Sequence, residues 1–123
     1  MDNKTEGARA LGFVLSEAEF GRSRDTVTVV SGEGRLVPGT VLGKVTASGK
    51  YAVSPATGST GEEAAVAVLA YAVDATSADA QAVVVTRAAQ VIADELTYDA
   101  SVDDGTKVAA KVAELETVGV IVR

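Results

Sequence analysis

Arg35-Leu36-Val37-Pro38-Gly39-Thr40-Val41-Leu42-Gly43-Lys44-Val45 is the stretch that decides how this chain folds. Two short apolar pieces are separated by a Pro-Gly turn, and beyond it Val41, Gly43 and Val45 alternate against Leu42 and Lys44. Period two is the mark of a strand, because successive side chains point to opposite faces. Upstream, Thr26-Val27-Thr28-Val29-Val30 puts Val27 and Val29 on one face and the threonines on the other, until Ser31-Gly32-Glu33-Gly34 breaks the run. Downstream, Ser48-Gly49 makes a second turn and Tyr51-Ala52-Val53 a short strand. From Asp25 to Val53 the chain reads as a meandering β-ribbon.

Ser54 to Gly61, SPATGSTG, reads as a flexible surface loop. Its glycines are not a phosphate loop, since no Gly-Lys-Ser/Thr follows, and no Gly-x-Ser-x-Gly elbow is present. Glu62 to Val73 is rich in alanine, but its second half is apolar on both faces, which predicts a buried strand over an amphipathic helix. Asp74 to Ala80 reads as a polar connection, and Gln81 to Arg87 as the clearest β run. Val91, Ile92 and Leu96 continue the apolar pattern towards Tyr98. One helix is predicted, from about Gly105 to Val118: Val108, Val112 and Leu115 form a stripe, Asp103 or Asp104 supplies the N-cap, and Gly119 the left-handed stop. Val120-Ile121-Val122-Arg123 is too apolar to dangle and is expected to return to the sheet. The fold class is mainly β with one C-terminal helix.

Composition narrows the chemistry. The 123 residues are 47% apolar and 23% charged, which describes one globular domain, and 22 Ala and 21 Val against two Phe and three Tyr imply a core of small side chains. Cys and His are both absent. Thiol nucleophiles, disulfides and thiolate metal sites are thereby excluded, together with the usual general base near neutral pH. No apolar run is long enough to span a bilayer, and the start lacks the pattern of a secretory signal, so no membrane partner is expected and the chain is read as staying where it is made. The net charge is −6, with seven basic and six acidic residues up to position 50 and four against eleven after it. That balance argues against direct nucleic-acid binding, which needs a cationic face.

Residues 1–24 show neither period and read as an arm, not a packed element, followed by a single domain over 25–123. Both phenylalanines, Phe13 and Phe20, lie in this arm, and Leu11, Phe13 and Leu15 fall at period two. They either pack back onto their own domain or anchor another chain. Burial of each would contribute about 1.5–3 kcal/mol. Arg22, Arg24 and Arg35 cluster at the arm's exit, where they are solvated or recruited by carboxylates of a partner.

Asp94, Glu95, Asp99, Asp103 and Asp104 do not follow the alternating order of a calcium loop, and solvated loop charge is the simpler reading. An aromatic-poor chain without Trp offers little platform for sugars. No catalytic constellation, cofactor or metal site is expected, and the protein is read as not an enzyme.

Several pieces, in order and spacing, carry a resemblance. They are Ser23-Arg24-Asp25-Thr26-Val27-Thr28, Pro38-Gly39-Thr40-Val41-Leu42-Gly43-Lys44-Val45, Ser48-Gly49-Lys50-Tyr51, Val73-Asp74-Ala75-Thr76, Val83-Val84-Val85-Thr86-Arg87, and the close from Leu115 to Arg123. From about residue 23 onward the chain resembles the lambda-like head decoration protein D family of tailed bacteriophages. The resemblance implies a β-clip domain, a bent two-stranded ribbon with a small α/β part, and a flexible N-terminal arm. It implies a homotrimer on the outer surface of the virion, assembled in the host cytoplasm. Its partner would be the major capsid protein, at threefold and quasi-threefold positions of the expanded head, which it would stabilise against packaged DNA. Leu11, Phe13, Leu15 and Phe20 are then the expected capsid anchors, with Arg22 and Arg24 as polar positioning groups. The rival of another class is a β-clip enzyme resembling trimeric dUTPases, for which no acidic and aromatic nucleotide pocket is legible. A lipoyl-like carrier lacks its lysine at a hairpin tip.

Overall fold

The computed structural model describes residues 14–17, 24–87 and 89–123. Among them are ten strands and one α-helix: β1 Val14–Glu17, β2 Arg24–Val29, β3 Gly34–Leu36, β4 Val41–Lys44, β5 Tyr51–Val53, β6 Ala65–Leu69, β7 Val73–Ala75, β8 Ala80–Val85, β9 Ala89–Val91, α1 Gly105–Thr117 and β10 Val120–Val122. The mainly β class and the single C-terminal helix are as the sequence predicts.

The ribbon closes on itself. Strands run β2-β5-β4-β6-β8 around a barrel, β3 and β7 form a separate two-stranded ribbon, and β1-β9-β10 a three-stranded sheet. Period two sorts the apolar side chains of the barrel strands between two cores. Leu42, Ala67, Leu69, Ala82 and Val84 pack with Val29 in one cluster, to which all five barrel strands contribute. Their neighbours Val41, Val68 and Val85 join Val91, Leu115 and Val120 in a second cluster, beneath the three-stranded sheet and α1. A strand that feeds both clusters must be apolar on both faces, which is why β6, and β8 from Ala82 to Val85, show no polar side. A five-stranded barrel is narrow, so its filling is Ala, Val and Leu, and the shortage of aromatics follows.

The close fit is sharpest at Gly43, where a β-carbon would collide with the Glu62 carbonyl oxygen. The β4–β6 register shifts at that point, between Leu42 and Gly43.

The helix is capped as expected, with the Asp104 side chain accepting from the Lys107 backbone N–H at 2.9 Å, and it stops before Gly119 at φ 94°. β10 then pairs in parallel with β9.

Three sequence readings differ from the structure. Val14–Glu17, inside the segment read as an unpacked arm, forms β1, antiparallel to β9, with Val14 against the second cluster. Four residues with a register shift between Val14 and Ser16 leave too little alternation to read. The apolar run from Glu62 is a strand only to Leu69, and Val73 starts another. Asp74 and Ala75, read as polar connection, belong to β7, where Asp74 lies directly across from Arg35 and pairs with it.

Candidate functional site

Two regions could meet a partner: the sheet edge carrying β1, and the loop from Ser54 to Glu63. Of the arm residues singled out above, Leu11, Phe13, Phe20 and Arg22 lie outside the described residues. Leu15 falls within β1. Arg24 opens β2 and its Nη1 donates to the Tyr71 hydroxyl at 3.2 Å. Arg35 pairs with Asp74 at 3.5 Å with both side chains exposed. The structure thus engages Arg24 and Arg35 at separate places within the chain.

β1 pairs with β9, whose other side is taken by β10, so among the described residues β1 is an outer strand of this sheet. An outer strand presents backbone N–H and C=O groups on the side away from its neighbour, a ready template for another strand.

The second region is organised by a residue that the sequence reading passed over. Lys111 is only 2% exposed. Its Nζ donates to Ser54 Oγ at 2.9 Å, to the Pro55 carbonyl at 2.5 Å and to the Glu63 carbonyl, and lies 3.5 Å from Glu114 Oε1. Glu114 also accepts from the Ala65 N–H at 2.8 Å, and Ser101 Oγ accepts from the Ala56 N–H at 2.8 Å. The loop expected to be flexible is tied to α1 and the 101 turn at both ends. A signal existed, because Lys111 stands three residues after Val108 and four before Leu115, inside the buried stripe.

Elsewhere the carboxylates serve local structure. Asp79 accepts from the Ser31 N–H at 2.9 Å and pairs with Lys50 at 2.5 Å, and its hydrogen bond from Lys50 holds its pKa below the ordinary value. Asp25 is lowered in the same way, first by its hydrogen bond from Arg87. Asp103 is lowered by Lys107, and Asp99 accepts from Ser101. Among the described residues no three carboxylates come together in a way that could hold a metal ion. Burial raises the pKa of Tyr98 and Tyr51.

Two shallow grooves share Arg35, Leu36 and Val37; one, of about 420 Å³, is completed by Ala72, Val73 and Asp74. Val37 at 42% and Tyr71 at 40% are the exposed large apolar side chains of the described surface. Neither groove gathers an acid, a base and a nucleophile.

Among the described residues, the side-chain pairs given above serve the turns, the helix cap and the cross-strand contacts of a small β-barrel. Residues 3–120 match the family of the bacteriophage lambda head decoration protein D, and the chain belongs to that family, whose members are capsid decoration components of the virion. No curated protein matches the chain.

Proposed function

We propose that the chain is a homotrimeric cement protein that docks on the outer surface of the expanded phage head, at its threefold and quasi-threefold positions, and stabilises the shell against the pressure of packaged DNA. The observation that carries this reading is the family match, which begins at residue 3 and so takes in the arm as well as the barrel. The arm supplies the grip: Leu11, Phe13 and Leu15 present one apolar row at period two while the backbone pairs with a capsid strand. Phe20 adds an anchor, and Arg22 and Arg24 orient the exit.

A trimer carries three arms. Weak individual docking becomes strong through effective concentrations on the order of mM for short tethers. Only a lattice of matching threefold spacing engages all three, so the expanded shell is preferred over the procapsid. The body does structural work, and no catalysis is assigned to it.

Two truncations test this. Removal of residues 1–13 leaves β1 in place, whereas removal of residues 1–22 also uncovers β9. Both are expected to remain trimers in sedimentation equilibrium and to lose binding to expanded heads, the longer deletion with lower stability. Undiminished binding by either would refute the arm's role, and nucleotide hydrolysis by the purified protein would favour the dUTPase-like alternative.

A further inference from the structure

We propose that Lys111 holds the Ser54–Glu63 loop in one shape as a second contact surface for the major capsid subunit, an inference that rests on the capsid-binding reading above. A buried lysine is a costly way to pack a helix on a barrel, since an apolar side chain of similar volume does so with no amino group to desolvate. What Lys111 adds is a donor to three loop oxygens, Ser54 Oγ and the carbonyls of Pro55 and Glu63. Other bonds fix the same loop. Thr46 N–H donates to the Thr60 carbonyl at 2.9 Å, Gly61 N–H to Glu63 Oε1 at 2.8 Å, and Ala56 N–H to Ser101 Oγ at 2.8 Å. Both flanks are anchored while Thr57, Gly58 and Ser59 stay exposed at the tip.

The chemistry of the tip suits a protein shell. Residues 51–61 carry no charge, and the carboxylates that follow, Glu62 and Glu63, accept from the Thr60 hydroxyl and the Gly61 N–H, so the tip itself, Thr57 to Ser59, meets a neighbour without a charge of its own. Its hydroxyls at Thr57 and Ser59 can hydrogen-bond in either direction, while that of Thr60 already donates to Glu62. The loop leads into Ala65, which shares a packed cluster with Val14, so loop and β1 rest on the same half of the core. A loop held in shape before contact avoids an ordering cost on binding.

The test uses the full chain with purified expanded heads. Lys111→Met removes the donors and keeps the side-chain length; Ser59→Arg alters only the exposed tip. Hydrogen exchange of Lys111→Met is expected to show at least about tenfold faster exchange at the Ala56 and Gly61 amides while β8 keeps its protection. Both variants are expected to remain trimers and to bind heads about tenfold or more weakly in cosedimentation, a loss near 1.4 kcal/mol. Ser59→Arg does so with wild-type exchange. If Lys111→Met does not fold, Ser59→Arg decides alone. Wild-type binding by Ser59→Arg, or unchanged exchange in the loop of Lys111→Met, overturns the inference and leaves the capsid reading standing. A wild-type protein that does not sediment with heads overturns both.

Discussion

Val14 lies directly across from Val91 in the antiparallel pair that joins β1 to β9, and both side chains belong to the cluster that also holds Leu115 and Val120. Val14–Glu17 is therefore part of the sheet that the C-terminal strand completes. In the proposed capsid-bound state, an arm gripping the shell would pull on the core at this pair.

Val14→Asp is expected to strip β1 from the sheet. The Ala89 N–H donates to Gly119 and the Val91 carbonyl accepts from Arg123, so alternation along β9 aims the Gln90 amide at β1. Hydrogen exchange should find the Gln90 amide deprotected in the variant while Ala89 keeps its protection. A half-buried carboxylate facing apolar neighbours costs about 2 kcal/mol or more, read as a lower urea midpoint.

Gly43→Ala is expected to destabilise the barrel by about 1–3 kcal/mol, because the added methyl group meets the Glu62 carbonyl, a backbone atom that cannot swing aside. Thermal unfolding checks this. An unchanged Tm would mean that the bulge between β4 and β6 relaxes freely.

The Asp25–Arg87 pair predicts acid sensitivity. Arg87 Nη1 donates to Asp25 Oδ2 at 2.8 Å, and this bond is the main reason that the carboxyl sits below its ordinary 3.8. A depressed folded-state pKa contributes stability that is fully present above the unfolded value and is lost as pH falls through the folded one. The wild type should lose its advantage over Asp25→Asn on acidification from about pH 5 to about pH 2, and the two should converge at the acid end. Both side chains are about half exposed, so the difference should be small and should shrink in high salt.

The sequence carried the fold wherever one periodicity ran long enough. Ala82 to Val85 alternates between two cores, and Val108, Leu115 and Gly119 frame a helix with its stop. Barrel closure was not legible, since it depends on which strands pair, and the β2–β8 ladder joins residues more than fifty positions apart. β7 was missed because Asp74 looks like a loop residue until Arg35 stands across from it. Lys111 was missed for the opposite reason. Its position in the stripe said buried while its chemistry said solvent, and the loop oxygens that reconcile the two come from Ser54, Pro55 and Glu63, about fifty residues away in sequence.

Whether the arm and the lattice together set capsid binding is read by cosedimentation of the intact chain, and of the form lacking residues 1–13, with expanded heads and with procapsids. The intact trimer is expected to saturate expanded heads and leave procapsids bare, while the shortened trimer stays in the supernatant with both. Equal binding of the two forms to expanded heads, or equal binding of the intact chain to both shells, would contradict this expectation.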